Sequence, residues 1–287
     1  MNHSGTLYVV ATPIGNLQDI TLRALEILKA VDVIAAEDTR HTAHLLTHFG
    51  IRKTLLAVHG HNEMKSAGQL IARIYAGESI ALVTDAGTPG ISDPGSVVVK
   101  ACHEAGITVI PIPGPSAVIA ALSAAGIAAS GFTFHGFLPA TASQRRRVLE
   151  RLKALDTALV FYEAPHRVLD SITDLATVLG SVRTLVIARE LTKTFETIHR
   201  CQLQDATAWL REDANRQRGE FVLIVEPAPA IEAPPISEET LRVIKLLLAE
   251  MPLKQAVKLA ADITGTKKNV LYDLALQLQE NKQLEKS

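Results

Sequence analysis

The sequence is poor in cysteine and in aromatic residues, and it lacks a long apolar run. Its two cysteines, Cys102 and Cys201, are far apart and neither belongs to a CxxC pair, so neither a disulfide framework nor a metal site is predicted. Aromatic residues make up 4% of the chain, which favours helices packed on sheets over an aromatic-rich β-sandwich. Since no apolar run predicts a membrane span and the N-terminus lacks a signal-peptide pattern, we expect a soluble, cytoplasmic protein.

An excess of charge of either sign is also missing. The net charge at pH 7 is −1, so the chain lacks the strongly basic body of a protein that binds nucleic acid over much of its surface. Any contact with nucleic acid must therefore come from local patches. The length of 287 residues is enough for two domains that each bury a core of their own.

Short apolar runs alternate with amphipathic stretches in the first part of the chain. This alternation predicts right-handed crossovers and a mainly parallel sheet. The predicted strands are residues 7–11, 33–36, 55–58, 80–83 and 107–110. The predicted helices are residues 21–30, 42–49, 63–76 and 94–105.

A second α/β unit is predicted beyond Gly126, where the rhythm of the sequence changes. Only residues 190–196 separate two of its strands, which is too short for a helical crossover, so this pair is predicted to be antiparallel and the second sheet to be mixed. The unit begins with the segment 132–138, and its predicted strands are residues 158–162, 185–188, 197–201 and 221–225. The predicted helices are one that carries residues 145–147 and runs to 155, followed by 168–179 and 203–212.

A proline-rich stretch and three short helices complete the chain. The prolines predict a semi-rigid linker, and the tight turns between helices 238–251, 253–264 and 267–279 predict a small helix-turn-helix-like bundle. A docking or dimer-packing appendage is the alternative for this bundle. The predicted domains are 1–122 (first α/β), 123–227 (second α/β), 228–236 (linker) and 237–287 (helical).

The most distinctive stretch runs from Val83 to Gly95 and follows a predicted buried strand. Its glycines permit a tight bend, and Asp93 before Pro94 is typical of an N-cap with proline in the first turn of a helix. Ligands of open α/β sheets bind outside the carboxyl ends of the strands, so this loop is a candidate binding floor. A plain strand-to-helix connection is the alternative. Polar turns also follow the other strands, at residues 11–20, 37–41 and 113–116.

Five motifs in one order resemble the branch of the tetrapyrrole (corrin and porphyrin) methylase superfamily that methylates small-subunit ribosomal RNA. They are residues 12–21, 36–40, 85–95, 113–117 and 189–193, and the tail segments 252–256 and 265–272 match as well. Methylases of porphyrin and corrin rings usually carry a G-x-G-x-G-D turn after the first strand. This chain has Thr12-Pro-Ile-Gly-Asn16 there, which indicates the RNA branch.

The resemblance implies a cofactor, a substrate and an assembly. It implies S-adenosylmethionine bound in a cleft between the two α/β domains, methylation of a cytidine ribose 2′-hydroxyl in the decoding region of 16S rRNA within the small ribosomal subunit, and a homodimer. A methylase of a tetrapyrrole intermediate and a non-catalytic RNA-binding protein are the competing hypotheses.

Cofactor contacts are expected from the loops after the fourth and fifth strands and from the second domain. Backbone groups of the first loop suit the amino-acid part of the cofactor, and its aspartate suits the cationic amine. The matching positions of the superfamily imply the contribution of the second domain. The predicted cofactor residues are Asp85, Ala86, Gly87, Thr88, Pro89, Ser116, Ala117, Leu138, Phe161 and Tyr162.

A general base is useful because a ribose hydroxyl has a pKa far above neutrality. Glu190 is the first candidate, Lys193 the second and Asp93 the third, since a capping role would account for Asp93 fully. Lys193 qualifies only if burial or a cationic neighbour lowers its pKa. Arg189 is expected to hold Glu190 ionised if the two form a structural pair.

Charged and polar residues near the strand ends and on two helices are candidates for substrate contact. The arginine run suits phosphate, with a solvated helix face as the alternative, and the acidic turn after the second strand has a structural ion-pair network as its alternative. The predicted substrate residues are Pro13, Asn16, Glu37, Asp38, Arg40, Arg145, Arg146, Arg147, Glu163, His166, Lys267 and Lys268.

Overall fold

A computed structural model of the chain describes residues 5–60, 62–228 and 236–284, with side chains up to 278. The chain forms two compact units, Met1–Pro229 and Ala230–Ser287. Residues 229–235 of the predicted linker lie outside the described residues. Within the described part of the chain, helices are all too short or too polar to cross a bilayer.

The first sheet has five parallel strands in the order β3-β2-β4-β1-β5. Helices cover both faces, so the inner strands β2 and β4 are buried on both sides: Leu82 packs on one face and Val83 on the other. The strands are β1 Leu7–Val10, β2 Val33–Ala36, β3 Thr54–Ala57, β4 Ile80–Val83 and β5 Val109–Ile112. The helices are α1 Leu22–Ala30, α2 Thr39–His48, α3 Glu63–Tyr75 and α4 Ser96–Glu104.

Strand β5 begins two residues later than predicted because Ile107 belongs to the end of helix α4. Gly106 has φ +68°, its N–H donates to His103 O at 3.0 Å, and the Ile107 N–H donates to Cys102 O at 2.9 Å. This is the Schellman arrangement, in which the residue after the left-handed glycine closes the helix. The apolar run at 107–110 is therefore part helix end and part strand.

The second sheet is mixed, with the order β6-β7-β10-β8-β9. Only β6 and β7 are parallel; the predicted antiparallel pairing of β8 with β9 is confirmed. The strands are β6 Phe132–Phe137, β7 Ala158–Glu163, β8 Thr184–Arg189, β9 Thr197–Gln202 and β10 Phe221–Val225. The helices are α5 Ala117–Ala125, α6 Ala142–Leu152, α7 Val168–Leu179 and α8 Leu203–Arg211.

Helix α5 follows the last strand of the first sheet but packs on the second sheet. Val118 and Ala121 share an apolar cluster with Val160 of β7 and Ile224 of β10, while helices α6, α7 and α8 cover the opposite face. The boundary predicted at residue 122 falls inside this helix. The two sheets are thereby linked through one continuous helix at the site described below.

The C-terminal unit is a three-helix bundle with a core of its own. Its helices are α9 Glu238–Glu250, α10 Leu253–Thr264 and α11 Lys268–Leu284. Ser237 caps α9 through Thr240 N, and Gly265 ends α10 with φ +70°. Ile244, Val257 and Leu271, one from each helix, are at most 5% exposed. The predicted small helical domain is confirmed as a packed unit.

Candidate active site

Loops at the carboxyl ends of β1, β4 and β5 are joined by hydrogen bonds. The Thr12 N–H donates to Gly87 O at 2.9 Å and the Gly87 N–H donates back to Thr12 O at 3.0 Å. Gly87 has φ +82°, a left-handed conformation that favours glycine. The Thr88 hydroxyl then donates to Pro115 O at 3.0 Å. The loop from Asp85 to Gly95 is thus hydrogen-bonded on one side to the loop after β1 and on the other to the loop after β5.

The turn after β2 is attached to the same loop through Asp85. Oδ1 of Asp85 accepts the Asp38 N–H at 3.0 Å, and the Asp85 N–H donates to Oε2 of Glu37 at 3.3 Å. Four strand ends therefore share one hydrogen-bonded floor, as expected for a binding site on a parallel sheet.

The second α/β domain closes on this floor at two points. A Cβ placed on Gly136, at the bulge in β6, would lie 2.8 Å from Ser92 Oγ. A Cβ on Gly15 would lie 2.6 Å from Lys193 Cγ and 3.1 Å from Leu191 O. At Gly15 a side chain would meet a methylene close to the backbone and a backbone oxygen, and at Gly136 the φ of +78° itself favours glycine.

A cavity of about 340 Å³ lies between the two sheets. Apolar side chains from both domains form most of its wall, with a few polar groups among them, which is the usual character of a small-molecule site. Its lining residues are Ile14, Ala86, Gly87, Thr88, Ile91, Asp93, Ser116, Ala117, Phe137, Tyr162, Glu163, Ala164, Pro165, Ala188, Leu191, Glu220, Phe221 and Val222.

A second cavity of about 460 Å³ adjoins the first, and the two share Ile14, Ala86 and Glu220. It opens beside helix α2 and the loop after β1. Its lining residues are Thr12, Pro13, Ile14, Gly15, Leu17, His41, His44, Leu45, Asp85, Ala86, Lys193 and Glu220.

Asp93 does not cap helix α4, contrary to the sequence prediction. The helix begins at Ser96 and its N-cap is Gly95 with φ +135°. The capping oxygen comes from Glu63 of helix α3, whose Oε1 accepts the N–H groups of Gly95 at 2.8 Å and Val97 at 2.9 Å. Asp93 is therefore free of the structural role that had accounted for it.

The Asp93 carboxylate lines the first cavity without a hydrogen bond or ion pair to any residue that the structure describes. Burial, with the negative charges of Glu37 and Asp85 nearby, raises the pKa of Asp93 to about 6. A carboxylate with such a pKa is a better proton acceptor at neutral pH than an ordinary aspartate.

Glu190 and Lys193 form an ion-paired network with Glu220. Lys193 Nζ lies 2.9 Å from Glu190 Oε1 and 2.7 Å from Glu220 Oε2, and the Glu220 N–H donates to Glu190 Oε1 at 2.9 Å. Burial by itself raises the pKa of Glu190, but the hydrogen bonds from Lys193 and Glu220 N outweigh it and leave the pKa lowered. Burial likewise opposes the charge of Lys193, yet its two carboxylate partners leave its pKa raised.

Lys193 therefore does not meet the condition set for it as a base, because its pKa is raised and not lowered. Glu190 is ionised but already holds two donors. Arg189 is not its hydrogen-bonding partner: the guanidinium donates to the carbonyls of Arg218 at 2.6 Å and Phe195 at 3.1 Å. The charge that pairs with Glu190 is that of Lys193.

Several predicted cofactor residues line the first cavity and others do not. Asp85 lines only the second cavity, and Pro89 is buried outside both linings. The side chains of Leu138 and Phe161 pack in the core of the second domain, so the wall is formed by their neighbours Phe137 and Tyr162. Side chains alternate along a strand, so Phe161 and Tyr162 point to opposite faces. The predicted residues in the first lining are Ala86, Gly87, Thr88, Ser116, Ala117 and Tyr162.

The structure contradicts in part the prediction that the arginine run, residues 145–147, contacts RNA phosphate. Arg145 is 4% exposed and pairs with Asp174 at 2.6 Å, so its guanidinium is not available to RNA phosphate. Arg146 pairs with the same carboxylate at 2.6 Å but remains half exposed, and Arg147 is exposed. A buried acid on helix α7 thus holds the first two arginines.

The acidic turn after β2 is a hydrogen-bonded network. Asp38 is the N-cap of α2, and the Arg40 guanidinium beside it holds the pKa of Asp38 well below its usual range. Burial raises the pKa of Glu37. Neither cavity is lined by these three residues; Pro13 lines the second, and Asn16 caps a short 3₁₀ turn through Gln18 N.

The remaining predicted substrate residues lie in three different places. Glu163 lines the first cavity, but its carboxylate is 2.8 Å from Arg167 and 2.5 Å from Ser171 Oγ, which satisfies it structurally. His166 is exposed and outside both cavity linings. Lys267 and Lys268 are exposed at the start of helix α11 in the C-terminal unit.

Glu220 is the main site residue that the sequence analysis missed. It precedes β10, which lies antiparallel between β7 and β8, with Phe221 opposite Glu163 on one side and Arg189 on the other. The beginning of β10 therefore meets the carboxyl ends of its neighbours at the cavities. No local sequence signal indicates that Glu220 belongs to the site; its position follows from the strand order.

Comparisons with known proteins agree with this architecture. Residues 6–207 match the family model of tetrapyrrole (corrin/porphyrin) methylases, and residues 234–279 match the model of the RsmI C-terminal HTH domain. Uroporphyrin-III-C-methyltransferase from Thermus thermophilus has a similar structure, with a TM-score of 0.57 and 20% identity over 77% of this chain and 94% of that chain. A second structure of uroporphyrin-III C-methyltransferase from that organism, complexed with S-adenosylhomocysteine, has a TM-score of 0.53 and 18% identity, covering 77% of this chain and 97% of that chain.

Curated relatives are much more similar in sequence. Ribosomal RNA small subunit methyltransferase I of Escherichia coli O157:H7 is 55% identical over 97% of both chains. The protein of the same name from Pseudomonas aeruginosa is 53% identical over 96% of this chain and 98% of its own. The chain belongs to the ribosomal RNA small subunit methyltransferase I family, within the tetrapyrrole methylases.

Proposed function

We propose that this protein transfers a methyl group from S-adenosylmethionine to the ribose 2′-hydroxyl of a cytidine in the decoding region of 16S rRNA. The observation that carries the proposal is the cavity between the two sheets, whose mostly apolar wall includes Asp93, a carboxylate with no partner among the residues that the structure describes. Family membership supports the methyltransferase reaction, and the names of the curated relatives support the RNA substrate.

The residues of the first cavity fit the proposed cofactor. Gly87 lines the cavity with φ +82°, a backbone conformation that favours glycine, so no side chain projects from this point of the wall. Ser116, the N-cap residue of α5, makes no capping hydrogen bond with its side chain, and it lines the cavity with Ala117. Leu191 and Val222 supply apolar surface for an adenosine.

We assign cofactor binding to Ala86, Gly87, Thr88, Ser116, Ala117 and Tyr162. When bound, the cofactor supplies a methyl group on an electrophilic sulfonium. The protein holds the two reactants in place, and well-oriented groups reach effective molarities on the order of 10⁵ to 10⁸ M. Burial, with the charge of Asp93 nearby, raises the pKa of Tyr162 to about 12, so this phenol stays protonated and can donate a hydrogen bond.

Asp93 is the residue that we assign as general base. It lines the cavity, lacks a partner among the described residues and has a raised pKa. Proton transfer to a positioned base contributes about 10²-fold to 10⁴-fold. Glu190 and Lys193 are assigned to structure, since each already satisfies the other.

RNA recognition is assigned in part to the C-terminal unit. The match to a helix-turn-helix domain and the exposed Lys267 and Lys268 support this assignment. A homodimer is part of the proposal because the family resemblance implies one and because Ile119 and Phe132 leave apolar surface exposed on the α/β unit. The proposed substrate places the protein in the cytoplasm, and sedimentation analysis tests the dimer.

Labelled S-adenosylmethionine tests the proposal directly. The purified protein is incubated with small ribosomal subunits from cells that lack it, or with tetrapyrrole precursors. We expect label only in the subunits, as a 2′-O-methylcytidine by nucleoside mass spectrometry. Label in a tetrapyrrole, or at another atom of the RNA, contradicts the proposal. If the protein does not bind the cofactor in calorimetry, the remaining hypothesis is a non-catalytic RNA-binding protein.

A further inference from the structure

The second cavity carries two histidines that the proposed reaction does not use. His41 and His44 lie three residues apart on helix α2 and Leu45 is one residue further, so all three occupy one face of the helix. Neither imidazole has a hydrogen bond or ion pair with a residue that the structure describes. They therefore present ring faces and nitrogen atoms to the cavity.

The charges around this cavity argue against a phosphate as its occupant. Asp85 and Glu220 are acidic, and the ammonium of Lys193 is already paired with Glu190 and Glu220. A dianionic group would meet carboxylates here with no unpaired lysine or arginine in the lining to offset them. A neutral group with hydrogen-bonding edges suits the cavity better.

The shape and chemistry of the lining suit the sugar and base of a nucleotide. The floor is made of small and apolar residues, among them Gly15 and Leu17, and the volume of about 460 Å³ lies within the range of small-molecule sites. Histidine rings stack on unpaired bases in RNA complexes, and a neutral imidazole offers one donor and one acceptor. The two cavities adjoin, so an occupant of one reaches an occupant of the other.

We propose that the second cavity receives the nucleoside of the target nucleotide and that His41 and His44 position it. This inference rests on the proposed function and names the RNA side of the site. The histidines act on substrate placement, whereas Asp93 accepts the proton.

The test compares His41→Ala/His44→Ala with His48→Ala, a control on the next turn of the same helix. His48 is exposed and lies outside the lining of the cavity. We expect the double variant to raise the KM for small subunits about tenfold or more, as loss of base stacking does, with the cofactor Kd unchanged within twofold. The control should match the wild type, and His44→Phe should recover part of the loss if stacking contributes.

Binding of subunits by co-sedimentation gives a readout apart from turnover. An unchanged KM and an unchanged subunit affinity in the double variant overturn the inference. A parallel loss of cofactor affinity overturns it too, because the cavity would then belong to the cofactor. If the wild-type protein neither binds nor methylates small subunits, the proposed function itself has failed, and this inference with it. Thermal unfolding of each variant checks that the fold is intact.

Discussion

Two carboxylates on left-handed turns, Asp93 and Glu190, have opposite surroundings. Ser92, beside Asp93, has φ +66°, and Glu190 itself has φ +51°. Glu190 is held by a lysine ammonium and a backbone N–H, whereas Asp93 has no partner among the described residues. The partnered carboxylate has a lowered pKa and the other a raised one. Hydrogen-bonding and ion-pair partners therefore separate the structural acid, Glu190, from the candidate base, Asp93.

The left-handed turns themselves fit this distinction. A non-glycine residue with positive φ carries a backbone cost that the surrounding contacts must offset. In the Glu190 turn the ion pair supplies such contacts. The turn at Ser92 is closed instead by a backbone hydrogen bond, from the Gly90 N–H to Pro94 O at 3.2 Å. The turn that carries Asp93 therefore does not use the Asp93 carboxylate, which has no partner among the described residues.

The largest expected effect is that of Asp93→Asn on turnover. Loss of the base should lower kcat for small subunits by about 10²-fold to 10⁴-fold, with little change in cofactor affinity. The wild-type kcat should rise with pH through about 6 and then level, because the carboxylate must be deprotonated to accept a proton. The variant should lack this rise.

Single-turnover assays between pH 5 and pH 8 measure this effect. Glu104→Gln, on the exposed end of helix α4, is the matched control for loss of one negative charge and should behave as the wild type. Near-normal turnover by Asp93→Asn would contradict the assignment of Asp93 as general base and would make Glu190 the leading candidate again.

The next largest effect is expected at Glu63, which fixes the loop that carries Asp93. Its Oε1 accepts three N–H groups at the start of α4, from Gly95, Val97 and Val98. Glu63→Ala leaves these donors without a partner in a buried place and should lower the free energy of unfolding by about 2 kcal/mol. Urea unfolding measures the loss. Glu63→Gln keeps an acceptor oxygen and should lose less; equal losses would mean that the hydrogen bonds are not the cause.

A smaller effect, on stability and not on chemistry, is expected for Lys193→Met. It leaves Glu190 and Glu220 without their cation and should cost about 1 to 2 kcal/mol of unfolding free energy, with kcat within a few-fold of the wild type. Adding Glu190→Gln should restore part of that stability, since it removes the unpaired charge. A hundredfold fall in kcat at unchanged stability would make this turn catalytic and abolish the contrast with Asp93.

Local sequence patterns were sufficient to predict most strands and helices and much of the floor of the site. The apolar run of β4 and the glycines behind it predicted a buried strand and a tight loop, and Gly87 does adopt a left-handed conformation there. These features depend on neighbours in the sequence. The Asp-Pro pattern was misleading because the acid that caps helix α4 is Glu63, about thirty residues earlier.

The ion pairs between charged side chains could not be predicted from the sequence, for the same reason. Arg145 has the pattern of a surface arginine, and only the packing of α6 on α7 brings it to Asp174. Glu220 reaches the Glu190 turn because β10 inserts between β7 and β8. Such pairs depend on strand order and helix packing, which single-residue patterns do not encode.

The smallest predicted effect is a gain in stability of Asp93→Asn, and it has a definite pH dependence. Burial raises the pKa of Asp93 from its ordinary value of 3.8 to about 6 in the fold, so folding disfavours its ionised form. The cost is full above about pH 6 and disappears as the pH falls below about 4. This rise in pKa corresponds to about 3 kcal/mol, which solvent screening at the half-buried carboxylate reduces to about 1 kcal/mol.

Asp93→Asn should therefore be more stable than the wild type at pH 7.5, and the difference should shrink towards pH 4.5. Urea unfolding at the two pH values measures it. Glu190→Gln should show the opposite sign at neutral pH, because its lowered pKa means that folding favours the ionised form. If both variants lose stability at pH 7.5, Asp93 is a partnered structural acid like Glu190, since only a carboxylate that the fold leaves without partners can gain stability when its charge is removed.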